Sequence, residues 1–189
     1  CIRDSGITTE VVTTNSWGQP VSAAAAGSGF VITNDGYILT NYHVIDGAQS
    51  IKVAFVDGTT YDAVLVGGEE ENDIAVLKID TTGLTPVIIG DSDNIKVGEQ
   101  VVAIGNPLGE LTYSMTQGII SAKDRSITMQ NGEVMNMLQT DTAINSGNSG
   151  GPLFDMYGQV IGITSAKLSS SSSSSEATIE GLGFAIPIN

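Results

Sequence analysis

The sequence predicts an all-β fold, either a sandwich or a barrel. Short apolar or alternating runs recur along the whole chain with the spacing of strands, and no window of helical length shows a sustained 3.6-residue period. Turn dipeptides that tolerate positive φ separate many of these runs, at Asp35-Gly36, Asp57-Gly58, Asn131-Gly132 and Tyr157-Gly158. The predicted strands are 30–33, 37–40, 51–55, 61–66, 74–79, 101–104, 118–121, 160–164 and 183–186.

Each predicted strand rests on a local pattern, taken here in chain order. The runs 30–33 and 37–40 are short and apolar, and they flank the first turn dipeptide. Run 51–55 alternates apolar residues with other residues, and 61–66 follows it across the second turn dipeptide, as in a hairpin. Runs 74–79, 101–104 and 160–164 are almost wholly apolar, while 118–121 and 183–186 are apolar runs that begin with glycine.

Length, composition and charge limit the classes of function. The 189 residues fill one large domain or two small, tightly joined barrels. Only 15% of residues are charged, 41% are hydrophobic and 23 are glycines, which indicates a folded, turn-rich chain. Seven Lys and Arg against 21 Asp and Glu give a net charge of -14, which disfavours nucleic acid and anionic membrane surfaces as partners. No apolar stretch approaches the length of a membrane span, so this segment predicts no membrane contact.

The chain contains one Cys and one His. A single Cys cannot form an internal disulfide, and this composition provides neither a Cys/His zinc cluster nor a pair of zinc-binding histidines. We therefore expect no metal and no cofactor, and any histidine chemistry must use His43. Cys1 indicates a cut or processed end, with lipid modification of a mature N-terminal Cys as the alternative.

Three local contexts point to a catalytic site. They are LTNYHV at 39–44, NDIAVLK at 72–78 and GNSGGP at 147–152, and they place His43, Asp73 and Ser149 in the chain order of the chymotrypsin triad. A Ser hydroxyl is a weak nucleophile that needs a neutral imidazole as base, and the imidazole needs a carboxylate to fix its tautomer. Ser149, His43 and Asp73 are predicted to take these roles. The alternative reading of 147–152 is a glycine-rich hairpin turn.

Glycines beside the predicted nucleophile suggest an oxyanion hole. Gly147 can adopt a backbone conformation that turns its N–H, together with the N–H of Ser149, toward one point. The pattern Gly147-x-Ser149-x-Gly151 also fits the nucleophile elbow of α/β-hydrolases. That class requires a His after the Ser and alternating strands and helices, and the sequence has neither.

The chain resembles the protease domain of the HtrA (Deg) serine proteases, within the chymotrypsin-like class. The matching stretches are 27–32, 35–44, 72–79, 105–109, 139–153 and 181–187. The resemblance implies two perpendicular six-stranded β-barrels, about 27–95 and 96–189, with the catalytic residues in the cleft between them. Residues 1–26 match least, and the resemblance implies that this N-terminal segment carries contacts of a homotrimer. It also implies a C-terminal PDZ module in the full-length protein.

The resemblance further implies an ATP-independent endopeptidase that cleaves unfolded or damaged proteins in the cell envelope or outside the cell. By matching positions, Ile144, Ala166 and Leu182 would line a specificity pocket for small aliphatic residues before the cut, with plain core positions as the alternative. Control would come from mobile loops at 108–117, 122–137 and 166–181, the last containing seven consecutive serines at 169–175. A non-catalytic scaffold or chaperone that holds extended polypeptides in the same cleft is the alternative function.

Overall fold

The computed structural model describes residues 4–14, 20–106, 114–128, 134–166 and 181–189. Its strands are β1 (Asp4–Thr14), β2 (Pro20–Val31), β3 (Tyr37–Thr40), β4 (Ala48–Phe55), β5 (Thr60–Glu69), β6 (Ile74–Ile79), β7 (Ile88–Ile89), β8 (Gln100–Gly105), β9 (Ser114–Thr128), β10 (Val134–Thr140), β11 (Pro152–Asp155), β12 (Gln159–Ser165) and β13 (Gly183–Pro187). One helical turn, α1 (Tyr42–Ile45), and a 3₁₀ turn at Ser146–Asn148 complete the regular structure of the described residues.

The first six strands form a closed barrel in the order β1-β2-β3-β6-β5-β4. Its core follows from period-two alternation, because successive side chains of a strand point to opposite faces of the sheet. In β6 the alternate residues Ala75, Leu77 and Ile79 are fully buried, and in β3 Ile38 is fully buried beside them. The β1–β2 hairpin pairs in continuous antiparallel register, and β1 closes the barrel by pairing with β4.

The remaining strands form a seven-stranded sheet in the order β11-β8-β9-β10-β13-β12-β7. An additional antiparallel pairing joins β11 to β12, and the two-residue strand β7 pairs in parallel with the start of β12. The sheet surrounds a core of small and branched apolar side chains, which includes Val101, Ala103, Leu138, Ile161 and Ala185. Two β units are therefore present, antiparallel throughout except for the pairing of β7 with β12.

A third apolar cluster packs the two units against each other. Phe30 from β2 of the first barrel is fully buried together with residues of the second unit, namely Met135, Met137, Val160, Ile163 and Ile186. Burial of a Phe side chain is worth about 1.5–3 kcal/mol, so this cluster stabilises the cleft in which the predicted catalytic residues lie.

The predicted fold class is confirmed, and each of the nine predicted strands overlaps a strand of the structure. Gly36, Gly58 and Gly158 have φ of 101°, 85° and 77°, as their turn dipeptides predict. Asn131-Gly132 lies outside the described residues. Four strands were not predicted, namely β1, β7, β10 and β11. The second unit also differs from the expected six-stranded barrel by the short strand β7.

Two expectations about segments need correction. Residues 4–14 and 20–26 are not separate from the first barrel, because they form β1 and the first part of β2. In the predicted control loops, residues 114–117, 122–128 and 134–137 lie in β9 and β10. These strands pair with each other in an antiparallel ladder, which satisfies their backbone groups without a loop. Most of the third predicted loop, including the serine run, lies outside the described residues.

Candidate active site

His43 lies in α1, the single helical turn that follows β3. Val44 and Ile45 of this turn are buried in the core of the first barrel and hold the turn on it. The His43 side chain is 24% exposed, so it faces the cleft and keeps access to solvent.

Asp73 lies immediately before β6 and has a left-handed backbone conformation, with φ of 53°. This conformation is unfavourable for a residue other than glycine, so its surroundings must maintain it. The Asp73 carbonyl oxygen accepts hydrogen bonds from the side-chain Nδ2 of Asn41 at 2.9 Å and from the backbone N–H of Tyr42 at 3.1 Å. Asn41 is fully buried, and it anchors Asp73 to the segment that carries His43.

The carboxylate of Asp73 holds the imidazole of His43. Nδ1 of His43 lies 2.7 Å from Oδ2 and 3.0 Å from Oδ1 of Asp73, and the backbone N–H of His43 donates to Oδ1 at 2.9 Å. Asp73 is 2% exposed, so the pair is strongly shielded from water on the carboxylate side. A carboxylate on Nδ1 places the proton there and leaves Nε2 as an acceptor.

Ser149 presents its hydroxyl to the other nitrogen of this imidazole. Nε2 of His43 lies 3.1 Å from Oγ of Ser149, and the backbone N–H of Ala166 donates to the same oxygen at 2.9 Å. Gly150, the next residue, has φ of 83°. A Cβ on Gly150 would lie 2.3 Å from both Ser28 O and Thr40 Oγ1, so only glycine fits after the serine.

The loop of residues 145–151, here called the serine loop, is bound on several sides. The hydroxyl of Thr164 in β12 lies 2.5 Å from Asn148 O and 3.1 Å from Gly151 O. The Asn148 side chain donates from Nδ2 to Ala143 O at 3.1 Å. Thr164 and Asn148 are both buried, so these bonds form out of water and constrain the loop.

The two residues of the predicted oxyanion hole lie in or next to the 3₁₀ turn at Ser146–Asn148. Within this turn the N–H of Asn148 donates to Asn145 O at 2.9 Å. A 3₁₀ turn directs N–H groups toward carbonyls three residues earlier, and an oxyanion hole requires N–H groups that are free to meet a ligand. Convergence of the N–H groups of Gly147 and Ser149 therefore stays a prediction.

The three residues of the predicted specificity pocket have different environments. Ile144 and Ala166 are 8% and 7% exposed and belong to the same apolar cluster of the second unit, whereas Leu182 is 38% exposed. A Cβ on Gly183, the residue after Leu182, would lie 2.8 Å from Cγ1 of Ile144, so Gly183 leaves room at this place. Ala166 is next to Ser149 through its N–H. The assignment of the three residues as a pocket stays a prediction.

Several residues that support the site were missed by sequence reasoning. Asn41 and Thr164 bind backbone groups of the predicted catalytic residues and the serine loop, and Gly183 leaves space beside Ile144. Asn41 and Gly183 lie inside the stretches that carry the family resemblance, and that position is the one signal that could have identified them. Thr164 lies in a predicted strand and carries no such signal.

Other charges lie at the surface. The side chains of Glu69, Glu70 and Glu71, at the end of β5 and directly after it, are exposed. Hydrogen bonds from Thr33 and Thr59 hold the pKa values of Asp35 and Asp57 below their ordinary range. Within the described ranges, no three His, Cys, Asp or Glu residues are grouped to hold a metal ion, and no helix is long and apolar enough to cross a membrane.

Comparison with known proteins identifies the class of this site. Residues 27–163 match the family described as "Trypsin-like peptidase domain". The chain is 50% identical over 163 residues to a "Probable periplasmic serine endoprotease DegP-like" of Pseudomonas savastanoi pv. phaseolicola, covering 86% of this chain and 32% of that protein. It is 46% identical over 174 residues to the "Serine protease Do-like HtrA" of Bacillus subtilis, covering 88% of this chain and 37% of that protein.

A solved structure agrees with these relatives. The chain superposes on "HtrA-type protease AlgW with decapeptide" with a TM-score of 0.81 and 37% identity, covering 98% of this chain and 61% of that chain. The chain spans about a third of the length of the curated relatives it matches. It belongs to the trypsin-like peptidase family, and within that family it is an HtrA-type serine protease domain.

Proposed function

We propose that this chain is the catalytic domain of an ATP-independent serine endopeptidase that cleaves unfolded or damaged polypeptides. The observation that carries the proposal is the continuous hydrogen-bonded series from Asp73 through His43 to Ser149, with distances of 2.7 Å and 3.1 Å. In this series a buried carboxylate, an imidazole and a glycine-flanked hydroxyl are connected in the order that serine protease chemistry requires.

The first half of the reaction forms an acyl-enzyme. Oγ of Ser149 attacks the carbonyl carbon of the scissile peptide bond, and its proton moves to Nε2 of His43. Asp73 stabilises the resulting imidazolium through Nδ1. The tetrahedral intermediate breaks down when Nε2 protonates the amine and the C–N bond cleaves. The second half repeats these steps with water as the nucleophile and releases the carboxylate product.

Stabilisation of the tetrahedral oxyanion is assigned to the N–H groups of Gly147 and Ser149. One such donor is typically worth about 3–4 kcal/mol of barrier. These two groups lie on either side of the Asn148 N–H, which donates to Asn145 O within the 3₁₀ turn. The same residues then supply the attacking oxygen and part of the site that stabilises the charge.

Substrate selection is assigned to Ile144, Ala166 and Leu182. All three are apolar and none is acidic, so a Lys or Arg side chain would find no counter-charge among them. We expect small aliphatic residues before the cut. A peptide series that varies only this residue tests the assignment, and faster cleavage after Lys or Arg than after Val or Ala would contradict it.

The setting follows from the relatives. Matched proteins are named periplasmic serine endoproteases, which supports an extracytoplasmic location. A role in protein quality control is what the family resemblance implies. One matched structure is described as HtrA-type protease AlgW with decapeptide, which supports polypeptides as ligands of this class of protein. A homotrimer and a C-terminal PDZ module in the full-length protein complete the proposal.

Digestion of unfolded casein by Ser149→Ala tests the catalytic assignment. Loss of the nucleophile is expected to lower kcat by about 10⁴- to 10⁶-fold and to abolish labelling by a fluorophosphonate. Ser126→Ala is the matched control, because Ser126 lies in β9 with an exposed side chain that bonds only to Asn136 among the bonds described here. Undiminished cleavage by Ser149→Ala would refute the assignment.

The alternative function, a scaffold or chaperone that holds polypeptides in the same cleft, gives the opposite result in this experiment. Such a protein would suppress casein aggregation without cleaving it, and Ser149→Ala would behave as the wild type. The hydrogen-bonded series at His43 favours the protease, because a binding cleft has no need of an aligned base and hydroxyl.

A further inference from the structure

We propose that Ser28, in β2 of the first barrel, is a positioning residue that sets the conformation of the serine loop for catalysis. Its backbone N–H donates to Ser149 O at 2.7 Å, and its hydroxyl donates to Gly147 O at 2.7 Å. The same hydroxyl oxygen accepts the backbone N–H of Asn106 at 2.9 Å, and the Ser28 carbonyl accepts the hydroxyl of Thr40 at 2.7 Å. This inference rests on the proposed function of Ser149.

Ser28 is fully buried, and its hydroxyl both donates and accepts a hydrogen bond. A serine hydroxyl has one hydrogen to donate, and that hydrogen goes to Gly147 O, while a lone pair receives the N–H of Asn106. Both partners are backbone groups of the second unit, one in the serine loop and the other directly after β8. One side chain of the first barrel therefore connects two segments of the second.

Ser28 contacts the backbone on both sides of the segment that carries the nucleophile. It bonds to the carbonyls of Gly147 and Ser149, the two residues whose N–H groups are assigned to the oxyanion hole. Peptide units are planar, so holding these two carbonyls fixes the Gly147–Asn148 and Ser149–Gly150 units, which lie on either side of the Asn148–Ser149 unit that carries the Ser149 N–H. Ser28 thus limits how the backbone between Gly147 and Gly150 can rotate, without touching the substrate.

The space around Ser28 is closed by glycines. A Cβ on Gly150 would lie 2.3 Å from Ser28 O, and a Cβ on Gly151 would lie 3.2 Å from Ser28 Cβ. A Cβ on Gly27 would lie 3.1 Å from Ser149 O. The first barrel and the serine loop approach each other closely here, so a longer side chain at position 28 would separate them. A serine suits this position because its side chain is small and still carries a hydroxyl.

Ser28→Ala tests the role directly. Without the hydroxyl, Gly147 O and the N–H of Asn106 lose a buried partner, and the loop gains freedom to rotate away from the reactive conformation. Loss of a whole oxyanion donor lowers kcat by about 10²- to 10³-fold, so misalignment of the donors is expected to lower kcat by about 10- to 100-fold. KM should change by less than about threefold, because Ser28 is not assigned to substrate binding.

Ser92→Ala is the matched control. Ser92 is also a buried serine whose hydroxyl accepts a backbone N–H, from Asn189 at 3.2 Å, and none of its described bonds is to the catalytic residues. It should lose stability like Ser28→Ala but keep its kcat. Both variants are assayed below their melting temperatures. Equal kcat losses in the two variants, or a Ser28→Ala loss that disappears once the unfolded fraction is corrected, would refute a positioning role.

A second variant covers the case in which Ser28→Ala does not fold. Ser28→Cys fills the same place with a weaker donor and acceptor, and its kcat should fall between those of the wild type and Ser28→Ala. A folded Ser28→Cys protein with undiminished kcat would refute the proposal. Failure of the protease assignment is recognised separately, because the wild type would then show no cleavage that depends on Ser149.

Discussion

Asp73→Asn is the substitution whose effect the structure determines most closely. The backbone N–H of His43 donates to Oδ1 of Asp73, so in the variant the amide oxygen must occupy the Oδ1 position to accept this bond. The amide NH₂ then occupies the Oδ2 position, which lies 2.7 Å from Nδ1 of His43. Two donors cannot face each other at this distance, so Nδ1 must lose its hydrogen and Nε2 must carry it.

The expected magnitude follows from this change of tautomer. With a hydrogen on Nε2, the imidazole donates toward Ser149 Oγ across 3.1 Å and cannot take the serine proton. Loss of the correct tautomer in a serine protease lowers kcat by about 10⁴-fold, equivalent to about 5.5 kcal/mol of barrier. The assay is steady-state hydrolysis of a fluorogenic peptide with an aliphatic residue before the cut, beside a thermal melt that verifies folding.

Asp80→Asn is the control for this experiment. Asp80 directly follows β6 and is exposed, so the same change of one carboxylate to an amide should leave kcat within about twofold. A folded Asp73→Asn protein that retained more than a tenth of the wild-type kcat would contradict the tautomer argument. Ser149→Ala combined with Asp73→Asn should be no slower than Ser149→Ala alone, because the two residues act as one unit.

Three further outcomes are expected. Gly150 has φ of 83°, and a Cβ there would lie 2.3 Å from two oxygen atoms of the first barrel, so Gly150→Ala should lose more than about 4 kcal/mol of stability in chemical denaturation. Gly158 has φ of 77° and a Cβ there would have no neighbour within 4 Å, so Gly158→Ala should lose about 1–2 kcal/mol in the same measurement. Thr164→Val removes a buried hydroxyl that lies 2.5 Å from a serine-loop carbonyl, which should cost about 1–3 kcal/mol of stability. The melting temperature should fall by about 2–4 °C for each kcal/mol lost. The Asn94 amide holds the pKa of Asp91 below its ordinary value of 3.8. The stability that this carboxylate contributes is therefore present above pH 3.8 and is lost as pH falls through the folded-state pKa. Asp91→Asn should melt at a lower temperature than the wild type at pH 6 and at the same temperature at about pH 2.

The sequence predicts correctly those strands whose own residues carry a local pattern of apolar or alternating side chains. β3 and β6 match the predicted ranges because both are mostly apolar and their burial alternates with period two. β10 also alternates over its first residues, with Met135 and Met137 buried, but methionines are weak indicators of a strand. β7 has two residues, and only its pairing with β12 makes it a strand. β1 is stabilised by pairing with β2, the next strand of the chain, and with β4, which begins only at residue 48.

The candidate site likewise has features that the sequence predicts and features that it does not. His43, Asp73 and Ser149 are predictable because each lies in a distinctive local motif, and the structure brings the three side chains within hydrogen-bond distance of one another. The left-handed backbone of Asp73 is not predictable, since it depends on Asn41 thirty-two residues away in sequence. The same holds for Ser28, whose contacts with the serine loop span 119 residues of sequence. Local motifs specify the reacting groups, whereas long-range contacts specify their geometry.

The backbone at the end of β12 connects recognition to reactivity. The N–H of Ala166 donates to Oγ of Ser149, and His43 Nε2 lies within reach of the same oxygen. Because a hydroxyl has one hydrogen, a bond accepted from Ala166 leaves that hydrogen for Nε2, which is the arrangement that attack requires. Ser165, the preceding residue, pairs with Phe184 in β13, so the position of this N–H is determined by the β12–β13 ladder. Ala166 is also assigned to the specificity pocket. If Ala166 lines the pocket as proposed, a substrate side chain that displaced this short segment would change the hydrogen bonding of the nucleophile, and substrate selection and the orientation of Ser149 would depend on the same piece of backbone.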